Sequence, residues 1–339
     1  MFMRHFQNIL TKQTMAVAVD FAADALRCIA IERAADGTWT RRVAFELPPV
    51  LLDRAMEDAA LQEFGARVSA AGLNGCRCRV TIASNLFRMD TAQLPIMNEQ
   101  ELAASARFEA IDHFGVSEAD FMIQHALLPC ATAGRCGLLL LAAPVSVIRN
   151  ATQAVMNAGL SPCSIENAAC AALRAAEQKY EGLNSGLVAF MHVEAKQAVL
   201  LLIKDGQIQF VRAMQGDWSS VAREQETASN DNSQTDSIAL DPINFGGAWR
   251  WSSLAEETLR CMRQACGESS WPSRLVVSGG VSTDVELLST LKGVCGMESA
   301  SVGSTGWSTG NEELKSDTWA AALGAASLDV QSTSTKRAA

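Results

Sequence analysis

The chain has 339 residues, 48% apolar and 19% charged, with 28 Lys+Arg against 37 Asp+Glu and a formal net charge of −9. That length suggests about two domains, and that apolar fraction excludes general disorder. The acidic balance disfavours a large nucleic-acid-binding surface, and the longest strongly apolar run, 137–145, is less than half of the roughly twenty residues a membrane span needs.

Positions 1–14 form an N-terminal segment that lacks the continuous apolar stretch of a signal peptide. Its large apolar residues, Phe2, Met3, Phe6, Ile9 and Leu10, have helical spacing with Arg4, His5 and Lys12 among them. This suits docking on its own domain, or a weak membrane-surface or partner helix. Ten cysteines without a C-x-x-C pair, and only four histidines, supply no structural-zinc spacing and no metal site. They read as buried, reduced thiols of a cytosolic protein.

From 15 to 31 an apolar strand, a short break and an alternating strand follow one another. Asp36-Gly37 makes a turn before a third strand at 39–45. A helix is predicted over 51–71, on the spacing of Leu52, Met56, Phe64 and Val68, with Gly72 as its stop. A short strand at 80–83 follows, and Asn98 to Glu101 resembles a capping box opening a helix to about 113. Strands at 121–127 and 138–142, a helix at 145–158, a strand at 161–165 and a helix from Asn167 to about 180 complete the first half.

Residues 186–214 repeat the opening plan: strand 186–191, break 192–196, strand 199–203, turn Asp205-Gly206 and strand 207–214. Two meanders about 170 residues apart suggest a duplicated α/β architecture. The stretch 224–236 has no large apolar residue and reads as part of a mobile loop over about 219–246. A helix at 254–266, a strand at 274–278 meeting Gly279-Gly280, a helix at about 284–291, a loop at 299–312 and a helix at 318–326 follow. The tail 331–339 reads as disordered.

Gly306-Trp307-Ser308-Thr309-Gly310 matches G-x-S-x-G, but its flanks are loop-forming and the last histidine, His192, precedes it. That order excludes the serine-hydrolase arrangement. No H-E-x-x-H, Walker A or G-x-G-x-x-G motif occurs, and no catalytic constellation is left. Trp218, Trp249, Trp251, Trp271, Trp307 and Trp319 crowd the second half, where packing outweighs an interface role.

The remaining pattern is two strand-turn-strand clamps and a later Ser278-Gly279-Gly280. In that order the chain resembles the actin-like ATPase superfamily, within it the PilM/FtsA branch, and above all the PilM family of type IV pilus assembly proteins with its MSHA-pilus and type II secretion relatives. The stretches that carry the resemblance are Ala158-Gly159-Leu160-Ser161-Pro162, Ala172-Leu173-Arg174-Ala175, Arg107-Phe108-Glu109-Ala110, Asp205-Gly206 with Phe210 and Arg212, and Val276 to Gly280. The resemblance implies an α/β, actin-like (ribonuclease H-like) duplicated fold. Its first half would cover 15–185, with a small α+β subdomain inserted at about 88–143, and its second half 186–330.

The resemblance also implies a nucleotide site at Asp20, Ala22, Ala23, Glu194, Gly279 and Gly280. Its departures weaken that site. The family's first clamp is Asp-x-Gly followed by small hydroxylated residues, whereas this chain reads Asp20-Phe21-Ala22-Ala23, and a β-carbon at Ala22 hinders close approach of phosphate. The second clamp reads His192-Val193-Glu194 instead of Asp-x-Gly. A carboxylate there, about 5 Å from a phosphate charge at an effective dielectric of about 20, is repelled by roughly 3 kcal/mol, about a hundredfold in affinity. Away from the family, Asp20 reads as a turn cap, and His192 and Glu194 as a polar hairpin tip.

The function expected is thus a cytoplasmic scaffold, peripheral on the inner membrane, that holds the N-terminal tail of a PilN-like bitopic protein. Phe87, Phe108 and Phe114 are its candidate groove residues, in a groove between the first domain and the subdomain. The alternative is an ATP/Mg-dependent switch or slow ATPase; a sugar kinase is a distant third. Self-association is compatible with the resemblance. Ile243-Asn244-Phe245 is similar to the partner tripeptide the family binds, a match that chance also explains.

Overall fold

A computed structural model describes residues 15–33, 39–54, 58–130, 132–178, 180–216, 218, 246–266, 270–302 and 318–334. The first half begins with β1 (Met15–Phe21), β2 (Leu26–Arg33) and β3 (Trp39–Leu47), followed by α1 (Asp58–Ala70) and β4 (Arg77–Ile82). Then come β5 (Arg88–Pro95), α2 (Glu99–Phe114), β6 (Phe121–Leu128) and β7 (Arg135–Pro144), and after them α3 (Val145–Asn157), β8 (Ser161–Asn167) and α4 (Ala168–Glu177). The second half has β9 (Leu187–Val193), β10 (Gln197–Lys204), β11 (Gln207–Gln215), α5 (Gly246–Cys266), β12 (Arg274–Gly279), α6 (Val285–Cys295), β13 (Glu298–Ser301) and α7 (Ala320–Ser334).

Two five-stranded sheets carry the same topology, β3-β2-β1-β4-β8 and β11-β10-β9-β12-β13. In each, three antiparallel strands are extended by two parallel ones. The helices fall at matching places, so the order βββαβαβα occurs twice. The first copy is interrupted between β4 and α3 by β5, α2, β6 and β7, whose strands form a separate antiparallel sheet ordered β5-β7-β6.

Strand alternation sorts the core. Val17, Val19 and Phe21 of β1 pack with Phe64 and Val68 of α1 and Val147 and Val155 of α3. The other face, Ala16 and Ala18, is small and lies under Ala322, Ala325 and Ala326 of α7. In the second sheet Met191 and Val193 face Trp251, Leu254 and Leu287, while Val188 and Phe190 face Ala169, Ala172 and Leu173 of α4. The halves therefore exchange helices: α4 packs on the second sheet and α7 on the first. The two helices meet at Gly324, where an added β-carbon would lie 1.7 Å from the Ala171 carbonyl oxygen.

Element ends differ from the sequence reading in several places. The helix predicted from 51 begins at Asp58; Leu52 sits in the preceding connection, buried in the same core, and its carbonyl accepts Asn150 Nδ2 at 2.9 Å. Strand β5 was not expected, because Met-Asp-Thr-Ala-Gln carries little apolar alternation. β13 replaces the start of an expected loop: four small and polar residues are held by parallel pairing to β12. β9 runs on through His192, where a break was expected. α5 starts at Gly246, eight residues before 254, and α7 reaches Ser334, past the start of the expected tail. Asn98 and Asn167 do cap α2 and α4. All ten cysteines are free, but only Cys28, Cys78, Cys261 and Cys295 are buried. The N-terminal segment, most of the 219–246 stretch including Ile243 to Phe245, and 306–310 lie outside the described residues.

Candidate functional site

The two halves face each other where β1 and β9 end, and the strand register builds the same pair on each side. The sixth residue of β1 is Asp20, opposite Thr81 of β4, whose hydroxyl donates to Asp20 Oδ1 at 2.7 Å. The sixth residue of β9 is His192, opposite Ser278 of β12, with Nδ1 and Oγ 3.2 Å apart. Burial pushes Asp20 up from 3.8 to about 6 against the pull of Arg27, and pushes His192 down from 6.5 to about 4, so the imidazole is neutral near pH 7.

Arg27 stands opposite Asp20 in the β1–β2 hairpin, its side chain only 4% exposed. Its guanidinium donates to Asp24 at 2.7 and 3.2 Å and to Glu46 at 2.8 Å, and lies 3.9 Å from Asp20. The cation is thus engaged by three carboxylates.

Past the strands, Ala22, Ala23, Glu194, Gly279 and Gly280 line one cavity of about 480 Å³ together with Asp20, Arg27, Lys196 and Trp218. Gly279 has φ +108°, and a β-carbon there would fall 2.0 Å from the Val193 carbonyl oxygen, so the close approach of β12 to β9 requires glycine. Gly280 faces open space. Glu194 does not extend into solvent as a hairpin tip. Its Oε2 accepts the Ser84 backbone N–H at 2.8 Å, across the cleft, and its buried Oε1 has no partner among the described residues. Burial raises its carboxyl from 4.5 to about 8, against the Ser84 bonds and with Asp20 and Asp24 adding to the rise. Trp218 stacks on Trp251 with ring centroids 6.0 Å apart, and its buried Nε1 is unpartnered among the described residues.

A second concavity, of about 560 Å³, lies within the inserted unit between α2 and β6. Phe108, 72% exposed, lines it with Ala104, Arg107 and Ile111 from α2 and with Ile123 and His125 from β6. Arg107 and Glu118 form an ion pair at its rim, 3.4 Å apart. β6 is an edge strand, and Met122 and Leu127 on it are also exposed. Of the other nominated aromatics, Phe87 packs on the core under β1, and Phe114 packs on the core of the inserted sheet, edge-on to His113. Asp90 of β5 accepts from His113 at 2.9 Å and from Arg212 of β11 at 3.2 Å, tying the inserted unit to the second half.

No family model matches the sequence, and no curated protein matches it. Among solved structures, a chain of a PilM–PilN type IV pilus biogenesis complex superposes with a TM-score of 0.72, covering 93% of this chain and 98% of that one at 17% identity. The fold is PilM-like. It is the duplicated actin-type architecture with an inserted α+β unit. Looser likenesses are a Bacteroides thetaiotaomicron protein with an actin-like ATPase fold (TM-score 0.48, 10% identity, 85% and 91% covered) and the cytoplasmic domain of EpsL, an inner-membrane component of the type II secretion system of Vibrio cholerae (0.46, 8%, 94% and 95%).

In this PilM-like frame the cleft residues read from the sequence converge, whereas the three phenylalanines disperse. Sequence reasoning missed Arg27 and Ser84. Arg27 had a signal, being a charge in an apolar strand at the hairpin position facing Asp20. Ser84 had none, because it acts through its backbone.

Proposed function

We propose that this protein is a cytoplasmic scaffold of a type IV pilus or related secretion platform, which captures the N-terminal tail of a PilN-like inner-membrane protein and carries a degenerate nucleotide site. The groove between α2 and β6, which lies within the inserted unit and not between it and the first domain as expected, supports this reading most directly. It offers an exposed aromatic, a small-residue floor from Ala103 and Ala104, and an edge strand whose backbone can pair with an extended peptide. The insert that carries it would span about 88–143. Attachment to the membrane would come through the partner; among the described residues no helix is long and apolar enough to cross.

The degenerate site is supported by charge. Asp20, Asp24 and Glu46 line the cleft against Arg27 and Lys196, Arg27 is already paired, and Glu194 fills the second clamp position. A second reading, an ATP-binding switch, draws on the convergence of Asp20, Gly279 and Gly280 in one cavity. Calorimetry with Mg-ATP separates the two: no binding up to about millimolar supports the scaffold, and about micromolar binding the switch. Fluorescence anisotropy with a labelled PilN-like tail tests the groove. Phe108→Glu is expected to weaken binding about tenfold or more, as loss of an aromatic anchor does; equal affinity for both proteins counts against the groove.

A further inference from the structure

We propose that the Glu194 carboxyl group is a built-in latch, bonded across the cleft to the Ser84 amide, that holds the two halves closed from within. Glu194 follows β9 in the second half and Ser84 follows β4 in the first, 110 positions away in sequence, yet Oε2 and the amide nitrogen are 2.8 Å apart. The donor is the first residue of a single 3₁₀ turn, Ser84–Leu86. The residue before it, Ala83, provides no side-chain cap. Glu194 therefore does from the opposite half what a capping side chain ordinarily does from the adjacent position. Ser84 is held on its other side as well, its hydroxyl donating to Asn167 Oδ1 at 3.2 Å, where Asn167 caps α4. The latch thus reaches the helix that the halves exchange.

The duplication makes the device one-sided. Phe21 pairs with Ile82 in the first half as Val193 pairs with Gly279 in the second, so Ala22 stands where Glu194 stands. A methyl group cannot reach back across the cleft.

The surroundings make the latch responsive to pH. The charged and titratable groups around it are Asp20 on β1, Asp24 on the turn, Arg27 on β2, Glu46 on β3, His192 on β9 and Lys196 on the following turn. Arg27 is taken by Asp24 and Glu46, so among the described residues no buried cation neutralises Glu194. Its Oε1 is buried without a partner among the described residues, a place that suits a protonated oxygen better than a charged one. In the closed form the carboxyl accordingly holds its proton up to about pH 8. Opening hydrates it and releases the proton to solvent, so rising pH favours the open form. The inference stands apart from the peptide groove and can fail or succeed independently of it.

Hydrogen exchange at Ser84 and X-ray scattering on wild type, Glu194→Ala and Glu194→Gln decide it. In Glu194→Ala the protection of the Ser84 amide should fall about tenfold or more, the equivalent of one hydrogen bond to a charged or strongly polar group, and the radius of gyration should rise. Glu194→Gln keeps an oxygen acceptor and should stay closed at every pH, whereas wild type should expand as the pH climbs from about 6 to 9. Wild-type protection and radius in Glu194→Ala would overturn the latch. So would a Glu194→Gln protein that follows the same pH course as wild type, a comparison that decides alone if the alanine variant does not fold.

Discussion

Asp20, Arg27, His192 and Glu194 are governed by what surrounds them, because a charge withdrawn from water keeps its state only if neighbours replace the hydration. Asp20 has Thr81 and Arg27, while Arg27 has three carboxylates. Arg27→Met removes the one cation among them and leaves Asp20 buried without it; a loss on the order of 3 kcal/mol is expected in urea unfolding. The pH dependence follows from signs. Asp20 and Glu194 are raised, so their contribution to stability is complete below 3.8 and 4.5 and is lost as pH rises through about 6 and about 8. His192 is lowered, so its contribution is present above 6.5 and lost as pH falls through about 4. Thermal melting across this range should therefore peak on the acid side of neutrality, and a peak above pH 8 would refute the assignment. His192 and Glu194 were visible as departures from the family's clamps and Asp20 as the clamp aspartate that remains, whereas Arg27 was missed. Their burial was not visible, since His192-Val193-Glu194 has the polarity of an exposed turn, and only β9 running on through Val193, with Glu194 bonded across to Ser84, takes it out of water.

At the scale of elements, two glycines hold the packing together. Gly324 lets α7 rest against α4, and Gly279 lets β12 close on β9. Gly324→Ala puts a methyl group into the Ala171 carbonyl and should force the helices apart at a cost of about 3 kcal/mol. Gly279→Ala combines a backbone clash with an unfavourable φ and should cost at least about as much. Urea midpoints measure both, and an unchanged midpoint in either variant would contradict the packing described. Gly280→Ala meets no atom of the described residues within 4 Å and serves as the matched control, with a change expected below about 1 kcal/mol. Most helices and strands were legible because their apolar periods and caps are local, as at Asn98 and Asn167. β5 and β13 were not, since each exists mainly through hydrogen bonds to a distant strand.

For the whole molecule, the exchange of α4 and α7 means that the halves cannot part as free bodies; relative motion has to pivot about these two helices. That leaves the cleft as the place where closure is decided. If Glu194, which ionises once the cleft opens, and crowding at Ala22 keep triphosphate out, the double variant Ala22→Gly, Glu194→Gly should gain Mg-ATP affinity by up to about a hundredfold over wild type. Calorimetry reads this, and no gain would place the obstacle elsewhere, with the saturated Arg27 as the next residue to examine.

The insertion and the clamp positions, which lack the family's glycines, came only through the family resemblance; by itself the sequence determined the class and the repeat, two apolar meanders with helices at matching intervals. These are properties of local period and composition, which neighbouring residues set among themselves. Only the tertiary structure decided that Glu194 crosses to Ser84, that Arg27 is consumed by three carboxylates, and that of Phe87, Phe108 and Phe114 only Phe108 lines the concavity between α2 and β6. Each of those depends on which distant surfaces are brought together and shielded from water, and burial of that kind is written in no single stretch of chain.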